Sequence, residues 1–103
     1  MKNTEIRIGN LIKRNGLVVT VDEQIFWDMK NKPEEFEPIP LTENWFYKIG
    51  KKEQAEFPSY RIGGMLINFV QGKWTEYVHR IHLKSVHQLQ NLYFALYGEE
   101  LQM

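Results

Sequence analysis

Residues 6–21 read IRIGNLIKRNGLVVTV, with Asn15-Gly16 between two runs of β-branched residues and leucine. Asn-Gly is the strongest short hairpin signal, because both central residues of the tight turn need positive φ. This turn constrains the chain more than any other feature, since it commits the opening to an antiparallel pair. The strands are expected near 5–14 and 17–26, with Gly9-Asn10 as a bulge or tight bend in the first.

The second half repeats the logic. Turn signals at Gly63-Gly64 and Gln71-Gly72-Lys73 separate runs over 59–62, 65–70 and 74–83. Met65–Val70 is almost all apolar, which predicts a central strand buried on both faces or nearly so. Residues 28–40, DMKNKPEEFEPIP, read as a loop docked through Met29, Phe36 and Ile39. A short helix is expected over 42–50, with Thr42 as cap, Glu43 on the positive end of the dipole and Gly50 as a left-handed stop. Its face of Trp45, Phe46 and Ile49 covers the core, and residues 51–56 form a polar connection.

The closing stretch SVHQLQNLYFALYGEEL, residues 85–101, predicts a helix with a Ser85/Gln88 capping box and a stop at Gly98. At 100° per residue Val86, Leu89, Leu92, Tyr93, Leu96 and Tyr97 fill an arc of about 140°. Leu89, Leu92 and Leu96 are expected to meet strands carrying Leu66, Ile67 and Phe69. No residue between Lys84 and Glu99 carries a formal charge. Exposed helix faces usually carry Lys, Glu or Arg, whereas amides desolvate without an ion penalty, so contact on both sides of this helix is expected. The fold class that follows is α+β. It comprises a mainly antiparallel curved sheet, or partly open small barrel, of about five strands with two helices, the C-terminal one packed on the sheet.

A chain of 103 residues suits one domain, 1–103. Cysteine is absent, which excludes disulfides, thiolate metal sites and cysteine catalysis. The opening MKNTEIRIGN lacks the apolar core of a signal peptide, and no apolar run approaches ~20 residues, so a cytoplasmic protein without a membrane partner is expected. Basic and acidic residues number 13 each, so net charge does not advertise nucleic acid. Residues 22–43 nevertheless balance to −5 and residues 1–16 to +3, which reads as an acidic loop near a basic hairpin.

The chemistry-bearing residues do not assemble into a catalytic pattern. His79, His82 and His87 include an odd spacing that sends the first two to opposite strand faces, and no carboxylate lies within the segment. Ser59 and Ser85 lie in no nucleophile elbow, and the glycines match neither phosphate-loop fingerprint. The pairs Glu34/Glu35 and Glu99/Glu100 fall in expected exposed segments where nothing raises a pKa. The expectation is therefore a non-enzymatic interaction module without cofactor or metal. Its candidate surface is the uncharged helix face of His87, Gln90, Asn91 and Phe94, meeting a second copy of the chain or another protein. The alternative is a small nucleic-acid-binding barrel. There Lys13, Arg14, Arg61, Lys73 and Arg80 would track phosphates and Trp74 would stack bases.

Three stretches, IRIGNLI, PIPLTENWFYKIG and VHQLQNLYFALYGEEL, together resemble a group of small bacterial proteins of prophages and mobile elements. The resemblance carries no catalytic or ligand residue to this chain. It implies phage-type accessory cargo that binds or modulates rather than catalyses.

Overall fold

A computed structural model of the chain describes residues 6–52 and 58–103. They gather into two compact units, one made by the chain up to Pro40 with Ser85–Glu100, the other by Leu41–Lys84 with Leu101–Met103. The class is α+β. Among the described residues there are three helices and two antiparallel sheets, neither closed into a barrel, in place of the single five-stranded sheet and two helices expected.

In the first unit, β1 (Leu11–Arg14) and β2 (Leu17–Thr20) form the expected hairpin, with Asn15 at φ 50° and Gly16 at φ 82°. The bend is also present: Gly9 has φ 100°, and Gly9 N–H donates to Val21 O and Val21 N–H to Asn10 O, each at 2.8 Å. The strand expected to run to residue 26 stops at Thr20. Asp22 accepts from Ile25 N–H at 2.8 Å and so caps α1 (Glu23–Asn31), where a strand and then a loop were expected. Ile25, Phe26 and Met29 recur at helical rather than strand spacing, and that period prevails. Pro33 opens a 3₁₀ turn (Pro33–Glu35) that feeds β3 (Phe36–Glu37) onto the free side of β1, with Arg14 opposite Phe36. The core of this unit is Ile6, Ile12, Val21, Met29 and Phe36. Full burial of each such side chain is worth about 1.5–3 kcal/mol. The expected loop anchors Met29, Phe36 and Ile39 are all buried.

The last helix, α3 (Val86–Tyr97), belongs to this unit and lies against β1, whereas the strand carrying Leu66, Ile67 and Phe69 belongs to the other. Gly98 ends it in the left-handed region at φ 69°, as expected. The capping box does not form: Ser85 Oγ lies 3.1 Å from His87 Nδ1 and makes no cap bond. Only the first half of the apolar stripe is fully packed. Val86 and Leu89 are 0% exposed, while Leu96 and Tyr97 are 40% and 41% exposed.

The second unit opens with α2 (Glu43–Ile49), where Phe46 is buried and Trp45 and Ile49 are half-buried. Gly50 is not left-handed, having φ −115°. A Cβ there would sit 3.1 Å from Phe46 O and 3.2 Å from Ile62 Cγ1, so the glycine answers a packing need instead. The rest is a meander, β4 (Lys51–Lys52), β5 (Ser59–Ile62), β6 (Met65–Val70), β7 (Lys73–Glu76) and β8 (Ile81–Leu83), paired in chain order. The expected connection beyond Lys52 lies outside the described residues. The run expected as one strand over 74–83 is divided by a turn at 77–80.

Strand alternation sorts this sheet into two faces. Tyr60, Ile62, Met65, Ile67, Trp74 and Leu83 are buried on one, with Phe46 stacked on Tyr60 at 5.3 Å and against Trp74 at 4.4 Å. Each aromatic pair adds about 0.5–1.5 kcal/mol beyond its buried area. Tyr60 Oη donates to Glu43 Oε2 at 2.6 Å, and burial followed by this bond pushes the phenol pKa well above its ordinary value. The other face carries Asn68, Val70, Lys73, Thr75 and His82, so β6 is buried on one face and not on both.

Candidate functional site

The uncharged face of α3 turns out to be used within its own unit. Gln90 is 3% exposed; its Oε1 accepts from Leu11 N–H at 2.8 Å and its Nε2 donates to Gly9 O at 3.3 Å. Asn91 Oδ1 accepts from Asn10 Nδ2 and from Arg7 Nε, each at 2.9 Å. Asn10, itself 0% exposed, accepts from Arg7 N–H at 2.6 Å. The bend at Gly9-Asn10 interrupts the β ladder, and buried backbone groups freed in this way need partners. Amides supply both donor and acceptor without burying a charge, which is why no Lys or Glu stands on this face.

The expected interaction surface is corrected accordingly. His87 is 4% exposed, Gln90 is buried, and Asn91 is half-buried inside the network. Phe94 remains 39% exposed, but the Arg7 guanidinium sits 4.3 Å from its ring centroid and also pairs with Glu100. Cation–π contact and apolar stem together cover such a ring.

The alternative basic set divides. Arg14 bonds Glu35 at 3.1 Å and Asp28 at 2.9 Å and lies over the Phe36 ring at 4.9 Å. The bonds to Glu35 and then Asp28 hold its pKa above the ordinary value. It is consumed in joining the hairpin to the acidic segment, as the charge pattern anticipated. Lys13 is half-buried on β1 of the same unit. Trp74 is 7% exposed on the core face, so it presents no ring for stacking. Arg61, Lys73 and Arg80 lie in the second unit and are exposed.

Lys73 and Arg80 line one open groove of about 790 Å³ with Asn68, Thr75, Tyr77 and His82. Its floor is a cross-strand row in which Asn68 pairs with Thr75 and Thr75 with His82, and the buried Ser59 continues the row on β5 beside Asn68. Ser59 Oγ donates to Asn68 Oδ1 at 2.7 Å, and Thr75 Oγ1 lies 3.1 Å from His82 Nδ1. These bonds fix the polar side chains along the strands. Arg61 shares the alternation of Ser59 and so stands on the same side of the sheet. Among the described residues no carboxylate lines the groove, and the Lys73 and Arg80 side chains have no hydrogen-bond or ion-pair partner.

The rim is shaped by a residue that the sequence reading passed over. Glu76 is 1% exposed, yet its carboxylate accepts from Val78 N–H at 2.9 Å and from His79 N–H at 2.9 Å, with His79 Nδ1 at 3.0 Å. Bonds from consecutive backbone amides satisfy a buried carboxylate, and they fix the 77–80 turn. That turn holds Tyr77 at 62% exposure and places Arg80 at φ 57°. A long side chain at positive φ is uncommon where Gly or Asn would fit without strain. An acid at a core-facing strand position was the signal available in the sequence.

The three histidines take separate places: His79 on Glu76, His82 in the groove, and His87 buried in α3 of the first unit. The charges segregate as well. The first unit's sequence holds six basic and nine acidic residues, the second seven basic and four acidic, so the neutral total conceals a −3 and a +3. Of the second unit's described acids, Glu43 is bonded to Tyr60 and Glu76 to the turn.

No helix among the described residues is long and apolar enough to cross a membrane. Comparison of the chain with family models, with curated proteins and with solved structures gives no match.

Proposed function

We propose that the protein is a non-enzymatic binding module that takes nucleic acid by its phosphates on the open face of the second sheet. The observation that carries this reading is the groove holding Lys73 and Arg80, which among the described residues are unpaired and share its lining with no carboxylate. Cations left without partners on a concave surface concentrate field toward an anionic chain. The exposed Tyr77 beside them adds a π surface of the kind strands of nucleic acid stack on. The resemblance to prophage-type proteins, which implies cargo that binds rather than catalyses, agrees with it. The α3 face lends a protein-binding reading no comparable support, because its amides are occupied within their own unit.

Fluorescence anisotropy with labelled oligonucleotides across a salt series tests the proposal. Two phosphate contacts, at Lys73 and Arg80, give a slope of log K against log salt of about −1.4 for a single strand. Lys73→Glu with Arg80→Glu should abolish binding at low salt while the fold is retained. Binding that ignores salt, or that survives the double reversal, would refute it.

A further inference from the structure

Edge strands are usually kept from pairing with other chains by shortness, charge or proline. β3 is two residues long, holds Glu37 and runs into Pro38, and β4 is a pair of lysines. The edge of the first unit at β2 carries none of these devices. Leu17–Thr20 reads LVVT, its register on β1 is unbroken, and among the described residues β1 is its only neighbour. Leu17 is 71% exposed and Val18 51%.

The hairpin register fixes which backbone groups this edge offers. Arg14 and Leu17 flank the two-residue turn and Ile12 pairs with Val19, so Leu17 and Val19 turn their N–H and C=O toward β1. Val21 faces the same way, donating to Asn10 O and accepting from Gly9 N–H. Val18 and Thr20 therefore present theirs outward. In an antiparallel partner, outward residues must meet in pairs that exchange both bonds. A second copy does this when Val19 lies opposite its own counterpart: Val18 then meets Thr20, Thr20 meets Val18, and Leu17 meets Val21. Moving the two-fold axis to Val18 would bring Gly16 of the turn, at φ 82°, into the ladder. Moving it to Thr20 would bring in Asp22, the cap of α1. Only the Val19 axis keeps both outward residues of each copy within β2.

We propose that β2 is a dimer edge, at which two copies of this chain join antiparallel about Val19 and merge their three-stranded sheets into one. The rows so formed, Leu17 with Val21, Val18 with Thr20 and Val19 with itself, oppose no charges and set apolar and β-branched side chains against one another, as stable cross-strand pairs do. Basic and acidic residues balance at 13 each, so two copies approach without net repulsion. A charged foreign strand would find no counter-charge on Leu17–Thr20. The dimer needs nothing from the groove of the second unit.

Light scattering over a concentration series should show one chain per particle when dilute and two when concentrated. Val18→Pro removes an outward N–H and keeps the inward bonds of β2, so it should give a folded monomer. Val18→Ala retains that N–H and should still dimerise. The chain has no cysteine, so single thiols report the register. Val19→Cys should cross-link to itself on oxidation, because the axis holds the two Cα atoms about 4.5 Å apart. Val18→Cys and Thr20→Cys should each fail alone and cross-link when mixed. A wild type that stays monomeric at every concentration overturns the proposal, and so does a dimer that survives in a folded Val18→Pro protein. If that variant unfolds, the thiols decide. Val19→Cys that forms no cross-link, or Val18→Cys that cross-links to itself, places the contact on another surface or register and overturns the Val19 axis.

Discussion

Replacing Gln90 by leucine isolates the reason for the uncharged helix. The substitution keeps nearly the same volume but removes the acceptor for Leu11 N–H, bonded at 2.8 Å, and the donor to Gly9 O at 3.3 Å. A buried polar group left unpaired costs about 1–3 kcal/mol. Leu11 and Gly9 are half-buried, so water recovers part of the loss, and the longer bond counts for less. Asn10 Nδ2 keeps its 2.9 Å bond to Asn91 and adds little. The sum is about 2 kcal/mol, which lowers the melting temperature by roughly 8–16 °C for a unit of this size. Thermal unfolding followed by circular dichroism gives the global figure, and amide exchange of Leu11 gives the local one. A variant within about 0.5 kcal/mol of wild type, with Leu11 exchange unchanged, would refute the reasoning: the amide would then be dispensable to the fold and the face open to a partner.

Leu89→Ala should cost about 2–5 kcal/mol and Leu96→Ala less than about 1 kcal/mol in urea unfolding, because only the first half of α3 is packed. The Asp28 carboxyl is held below its ordinary pKa, first by the bond from Gln24 and then by Arg14. A depressed folded pKa contributes stability that is present above the unfolded value of 3.8 and lost as pH falls through the folded value. Melting temperature should therefore drop as pH is lowered below about 4, and Asp28→Asn should flatten that part of the profile. For Tyr60 the sign reverses. Its raised pKa leaves stability intact below the ordinary value of 10.0 and removes it as pH climbs further, and Tyr60→Phe should abolish this alkaline loss. Tyrosinate absorbance should show one phenol ionising only as the protein unfolds; all tyrosines titrating together near their ordinary value would contradict it.

Local turn chemistry was the most legible part of this fold. Asn15-Gly16, Gly98 and the bend at Gly9 were readable because each demands a backbone conformation that few residues accept. The meander over 59–83 was readable in outline, since its glycines mark real turns. The errors arose where two readings competed. Val21 to Phe26 looked like a continuing strand because Ile25 and Phe26 favour one, and the cap from Asp22 decided otherwise. Thr42 and Ser85 stand where caps belong, yet neither side chain makes a cap bond, and Ser85 Oγ lies instead 3.1 Å from His87 Nδ1. Basic residues for the candidate site could be enumerated from sequence but not sorted. Whether Arg14 is consumed by Asp28 and Glu35, or Lys73 left unpaired, depends on contacts between residues far apart in the chain.

The order in which the units are written along the chain has a consequence for synthesis. The first unit is discontinuous: its hairpin and α1 are made first, but α3 follows only after the whole of Leu41–Lys84. At 5–20 residues per second those intervening residues take roughly 2–9 s to add, far longer than a hairpin needs to form. The second unit, almost contiguous, can close on emergence. The opening hairpin waits with Leu11 N–H and Gly9 O lacking the amide that will satisfy them. Backbone groups left open in this way are available to other chains until Gln90 arrives, and the hairpin made before Leu41–Lys84 is completed only after it.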